Sequence, residues 1–173
     1  MIESSSRILR TDVSGMPIEW IGFEETVKLH CLEQILYPMG SSLYQSRAHL
    51  KCHPSYTPPL NNKALFRRDV HLCLYCGGQF LPGQLSRDHV QPLSRGGADV
   101  WQNVVTACRR CNHRKGNQTP EESGHELLAV PFIPTHAEYI YLSGRQILAD
   151  QMEFLVSHFP RNSPLHKRIG QVA

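Results

Sequence analysis

The chain has 173 residues, 40% hydrophobic and 19% charged, with 18 Lys/Arg against 15 Asp/Glu. That length suits one domain, or one domain plus an appendage, and the composition excludes wholesale disorder. No apolar run reaches the roughly 18 residues of a membrane span, and residues 1–10 lack the apolar centre of a secretory signal. A cytoplasmic location with no membrane partner is therefore expected.

Residues 6–22 alternate in polarity around Gly15-Met16-Pro17 and predict a β-hairpin. Phe23 to Tyr37 predicts a helix, with Val27, Leu29, Leu32, Ile35 and Leu36 at near-helical spacing and Pro38 and Gly40 as its stop. Within it Cys31 reads as a small core residue; Cys52 stands alone. Ser42 to Leu50 reads as a strand, and a stretch with Pro54, Pro58 and Pro59 leads into the middle of the chain. Asn62 to Asp69 predicts a short helix with its positive side chains exposed. Leu85 to Leu93 predicts a strand, Ser94 to Gly97 a turn, and Asn103 to Arg114 a helix closed by Gly116 with Lys/Arg crowding its end. Thr119-Pro120-Glu121-Glu122 would start another short helix. Gln146 to Phe159 predicts an amphipathic helix carrying Ile147, Leu148, Met152, Leu155 and Phe159 on one face, and the last dozen residues a loose tail.

Charge is uneven. Between Lys63 and Asn117 nine Lys/Arg accompany three acids, Asp69, Asp88 and Asp99, so that this segment carries +6 in a chain of net charge +3. A basic middle suits a phosphate backbone, although by itself it reads equally as a solvated face. The same segment holds two C-x-x-C pairs, Cys73/Cys76 and Cys108/Cys111, separated by 31 residues. Each pair sets two thiolates on one tight turn, the bite a tetrahedral ion needs, and four sulfurs suit a structural Zn²⁺ with no position left for water. Redox-active thiols and an iron–sulfur cluster are the alternatives; no thioredoxin-like βαβ pattern supports the first.

Between the pairs lies Ser86-Arg87-Asp88-His89-Val90-Gln91-Pro92-Leu93-Ser94-Arg95-Gly96-Gly97, followed by Trp101-Gln102-Asn103 and by Cys108-Arg109-Arg110-Cys111-Asn112-His113-Arg114-Lys115-Gly116. Over about residues 65–123 this resembles the HNH endonuclease family, in its branch with two C-x-x-C pairs. The resemblance implies an α+β fold: a ββα-metal (His-Me finger) nuclease core with a four-cysteine zinc site, here with an N-terminal β-hairpin/helix extension and a C-terminal helix. The expected division is residues 1–60, a nuclease domain at 61–125, and 126–173. The ends lie outside the resemblance, and the apolar faces of Phe23–Leu36 and Ile147–Phe159 give them an expected role in packing on the core.

The resemblance also implies roles. His89 would be the general base that activates water, Asp88 and Asn112 the hard oxygen ligands of a catalytic Mg²⁺ or Mn²⁺, and Asn103 the residue that fixes the loop and orients the imidazole. His113 competes with Asn112 as a ligand, but neighbours on a helix diverge by about 100°, and Asn112 directly follows the last cysteine. Arg87, Arg95, Arg109, Arg110, Arg114 and Lys115 are candidate nucleic-acid contacts, with Arg110 and Arg114 sharing a face. The expected partner is DNA, double-stranded, cut to leave 5′-phosphate ends, and a homodimer would supply two sites for a double-strand break. Adjacent strand residues face opposite ways, so Asp88 and His89 require a distortion at the strand's end to serve one site.

Each residue also has a plainer reading. Asp88 could pair with Arg87 or Arg95, His89 be a half-buried histidine, Asn103 a helix cap, and Asn112 a surface amide. Were all four so, the chain would be a non-catalytic zinc-stabilised module that binds nucleic acid.

Overall fold

The computed structural model describes residues 7–38, 42–48 and 57–169. In chain order these form β1 (Ile8–Thr11), β2 (Pro17–Ile21), α1 (Phe23–Cys31), β3 (Ile35–Pro38), β4 (Leu43–Ser46), α2 (Asn62–Arg68), β5 (Leu85–His89), β6 (Val104–Cys108), α3 (Arg109–Lys115), α4 (His136–Ser143), α5 (Ala149–Ser157) and α6 (Pro164–Ile169). The fold is α+β, and no helix among the described residues is long and apolar enough to cross a membrane.

The chain separates into two compact units. One joins residues 1–57 to 135–173, and the other is the continuous segment 58–134. The two ends, expected as separate extensions, therefore share a unit, in which polar groups of one end are satisfied by the other. Trp20 Nε1 donates to the Ile140 carbonyl at 2.7 Å, and buried Gln151 donates to the carbonyls of Arg7 at 2.9 Å and Ser42 at 3.0 Å.

In that first unit the strands lie in the order β2-β1-β4-β3, with β1 parallel to β4 and antiparallel to β2. The predicted hairpin is present, turning through Gly15 at φ 88°. The predicted helix 23–37 is cut short. It ends at Cys31, the chain turns through Glu33 at φ 54°, and Ile35–Pro38 becomes an edge strand antiparallel to β4. Strand pairing outweighs the helical spacing here, and Ile35 packs instead with Ile8, Ile21, Leu29 and Tyr44. Helix α1 buries Thr26 and Leu29, which leaves Cys31 exposed rather than in the core. The strand expected at 42–50 is Leu43–Ser46; the connector containing Cys52 and Pro54 lies outside the described residues. Helix α4, not anticipated, begins with a capping box between Thr135 and Glu138, and the expected tail contains α6. The amphipathic helix predicted over 146–159 is shortened to α5, in which Leu155 is buried; Leu148 precedes it as the N-cap and is 46% exposed.

The second unit is built on the β5–β6 hairpin, which pairs in unbroken antiparallel register from Leu85↔Cys108 to His89↔Val104. The helix predicted from Asn103 is a strand as far as Cys108 and a helix only from Arg109. Val104, Val105 and Thr106 are β-branched and stiff at χ1, and every residue of β6 is buried. Asn61 caps α2 by accepting from the Ala64 amide at 2.9 Å. Arg68, expected on the surface of α2, is fully buried. Its five N–H donors all find acceptors: two on Asp69, and the carbonyls of Trp101, Phe132 and Val104, at 2.8–3.1 Å. Complete satisfaction is what makes the burial of such a charge tolerable. Asp69 in turn accepts from the Thr106 amide at 2.9 Å, tying β6 to the end of α2. Residues 120–124, where a helix start was expected, form a turn.

Candidate active site and metal centre

The ligand sulfurs of Cys73, Cys76, Cys108 and Cys111 lie within 4.8 Å of one another. A tetrahedron with metal–sulfur bonds of about 2.3 Å has edges of about 3.8 Å, so the cluster needs only a small contraction to hold Zn²⁺. The first pair sits on a turn closed by Gly77 N to Cys73 O and Cys73 N to Gly78 O, both at 2.9 Å, with Gly77 at φ 71°. A left-handed residue is needed there and glycine takes it without a Cβ penalty. The second pair spans the β6–α3 junction, where the Cys108 sulfur accepts from the Cys111 amide at 3.4 Å. Burial raises the Cys111 thiol well above its ordinary value, reinforced by Cys108 and Cys76. Burial also acts on Cys73, but backbone hydrogen bonds from Cys108, Cys76 and Tyr75 outweigh it and bring that thiol down. A divalent cation would relieve the crowding of these sulfurs. The four-cysteine cluster, a clip, therefore joins the Cys73–Gly78 turn to the hairpin and to α3, and four sulfurs would close the coordination shell of a bound Zn²⁺.

Asp88 and His89 end β5 and line a cleft of about 390 Å³ together with Pro92, Leu93, Ser94, Lys115, Gly116 and Asn117. The ladder is regular through His89, and the chain bends at Val90 and Gln91. The expected distortion thus follows the pair rather than dividing it. Asp88 is buried. It accepts from the Tyr75 hydroxyl, in a short hydrogen bond, and from the Lys115 ammonium at 3.1 Å; Lys115 also donates to the His89 carbonyl at 2.8 Å. Burial, then the Asp88 carboxylate, push the Tyr75 phenol far up, so it remains a donor. His89 is half-buried, and its Nε2 lies 2.8 Å from Asp99 Oδ1. The Arg87 guanidinium, 2.7 Å from Oδ2, is the larger influence holding the Asp99 carboxyl below its ordinary range, followed by His89.

Asn103 precedes β6 and does not cap a helix. Its Oδ1 accepts from the Gln91 amide at 2.8 Å, while Nδ2 donates to the carbonyls of Gln91 at 3.0 Å and Ala98 at 2.8 Å. One side chain therefore clamps both limbs of the 90–103 loop. Gly97 belongs to the same clamp, since a Cβ there would lie 1.9 Å from the Gln91 carbonyl oxygen.

Asn112, on α3, donates through Nδ2 to Ser86 Oγ at 2.8 Å and to the Arg87 carbonyl at 3.2 Å. These bonds orient the amide and leave its oxygen as the end without a hydrogen bond among the described residues. An Asp carboxylate and an amide oxygen are hard donors that suit Mg²⁺ or Mn²⁺. His113 is exposed.

The predicted basic residues divide. Arg109, Arg110 and Arg114 are exposed along α3. Arg87 is held by Asp99 and by Asn62, and Arg95 forms an ion pair with Glu122. Lys115 is only 1% exposed and faces Asp88, because it shares the buried side of α3 with Cys111, one turn earlier. It is therefore corrected from a phosphate contact to an internal partner of the site. Sequence reasoning missed Tyr75, Asp99 and this role of Lys115. The sequence held one signal: Asp69, Asp88 and Asp99 are the three acids of an otherwise basic segment, and in the structure each makes an ion pair.

Residues 73–128 match the family described as HNH endonuclease. No curated protein matches the chain.

Proposed function

We propose, from the match of residues 73–128 to the HNH endonuclease family and the four-cysteine cluster fit for zinc, that the protein is a metal-dependent endonuclease or nickase that hydrolyses DNA phosphodiester bonds. The observation that carries this reading is the placement of Asp88 and His89 together at the lip of one open cleft, at the end of a hairpin anchored by the clip.

His89 accepts the proton of the attacking water, a task suited to an imidazole near neutral pH. Asp88 and Asn112 would hold a divalent ion, and that group would supply Lewis acidity and charge neutralisation at the scissile phosphate. Asn103 keeps the loop beside His89 in one arrangement, so the base meets the water in a fixed geometry. Arg109, Arg110 and Arg114 offer sequence-blind contacts to the DNA backbone.

The test is incubation of supercoiled plasmid with Mg²⁺ or Mn²⁺, for the wild type and for His89→Ala. The reading expects nicked or linear DNA from the wild type and a loss of about 100-fold or more for the variant. If both proteins bind the plasmid and neither cuts it, the chain is a zinc-stabilised binding module instead.

A further inference from the structure

His89 meets the Asp99 carboxylate, which is not one of the proposed metal ligands and is shared with Arg87. We propose that Asp99 is the positioning residue of the general base: its carboxylate fixes His89 as the Nε2–H tautomer, which leaves Nδ1 as the nitrogen that takes the proton from water.

The chemistry of the pair dictates the tautomer. Asp99 stands 2.8 Å from His89 Nε2. Its carboxyl is kept ionised first by Arg87, which donates to both oxygens at 2.7 and 2.8 Å, and then by His89 itself. An ionised carboxylate only accepts, so Nε2 must carry the hydrogen. Nδ1 has no hydrogen bond among the described residues, and His89 lines the cleft. A ring whose one nitrogen is held by a carboxylate presents the other in a defined direction.

The placement of Asp99 is itself enforced. Asn103 Nδ2 holds the carbonyl of Ala98, the preceding residue, and Gly97 packs against the Gln91 carbonyl with no room for a Cβ. On the other side Arg87 is oriented by Asn62, whose Oδ1 accepts from its Nε at 2.9 Å. Asn103 thus acts on His89 through Asp99. The side chain of Asp99 is 49% exposed, so the carboxylate is not needed to fill the core.

The rate consequence rests on the nuclease reading, whereas the tautomer does not, and the experiment separates them. Protein labelled with ¹⁵N-histidine and loaded with zinc is observed by NMR at about pH 8.5, where imidazoles are neutral, as wild type, Asp99→Ala and Asp99→Glu. The wild type should show His89 as Nε2–H alone. Asp99→Ala should show a mixture of tautomers, with zinc content unchanged, and Asp99→Glu should restore the single form at least in part. In plasmid cleavage Asp99→Ala should lower kcat by about 100-fold without raising KM. A His89 tautomer that is mixed in the wild type, or unchanged in Asp99→Ala, overturns the assignment. A change confined to KM also overturns it, since Asp99 would then act only by masking the Arg87 charge. If the wild type cuts no DNA, the nuclease reading fails, and the NMR comparison still decides the pairing.

Discussion

The Lys115 ammonium lies 3.1 Å from the Asp88 carboxylate, with both side chains out of water at 1% and 6% exposure. Removing one partner of a buried pair leaves the other charge uncompensated, at a cost of about 3–5 kcal/mol. Lys115→Met should therefore destabilise the segment 58–134 by that order in chemical denaturation. Adding Asp88→Asn in the same chain should recover part of the loss, because the amide leaves no buried charge. Equal stability of Lys115→Met and wild type would mean that the pair contributes nothing.

Gly97→Ala introduces a Cβ 1.9 Å from the Gln91 carbonyl oxygen, a clash with backbone that no rotamer change relieves. The loop must open, and Asn103 must lose at least one of its bonds. Cleavage should fall by about 100-fold or more, while zinc content stays at one ion per chain, since the clip lies at the other end of the hairpin.

Arg95 and Glu122 form an exposed ion pair, and Arg95 is the larger influence holding the Glu122 carboxyl below its ordinary value. Glu122→Gln frees a cation near the cleft. DNA affinity should rise several-fold at low salt, and the slope of log K against log salt should steepen by about one for each further phosphate that the freed arginine neutralises. Arg110→Ala and Arg114→Ala should each make the slope shallower by a similar amount.

The proposed ligand role of Asn112 predicts that Asn112→Ala raises the Mn²⁺ requirement for cleavage, whereas His113→Ala leaves it unchanged. The opposite pattern would move the ligand role to His113, which is exposed on α3.

Burial pulls His136, in the unit formed by the two chain ends, below the ordinary histidine value of 6.5, only partly offset by the backbone of Ile18 and Pro17. The unfolded chain therefore takes up its proton first as pH falls. Stability from this group is complete above about pH 6.5 and declines below it, over the window down to the depressed folded value. Urea denaturation at pH 7.5 and 5.5 should show the loss, and His136→Gln should flatten it.

How far the residues alone reach is clearest where spacing carries the chemistry. Two C-x-x-C pairs imply a four-sulfur cluster because a tight turn sets the bite locally, and Asp88-His89, Asn103 and Asn112 identify the candidate site from their order in the chain. The hairpin at 8–21 is legible for the same reason: alternation and a glycine turn are local. Three features depended on tertiary contacts. Residues 35–38 and 104–108 have apolar spacings compatible with a helix, and only the strands waiting beside them made them strands. The two ends of the chain form one unit because residues more than 100 positions apart satisfy each other's polar groups. Lys115, Arg68 and Asp99 read as surface charges until folding sets each beside its partner. A charge can be buried or aimed only when the acceptors around it are complete, and those acceptors come from several distant segments.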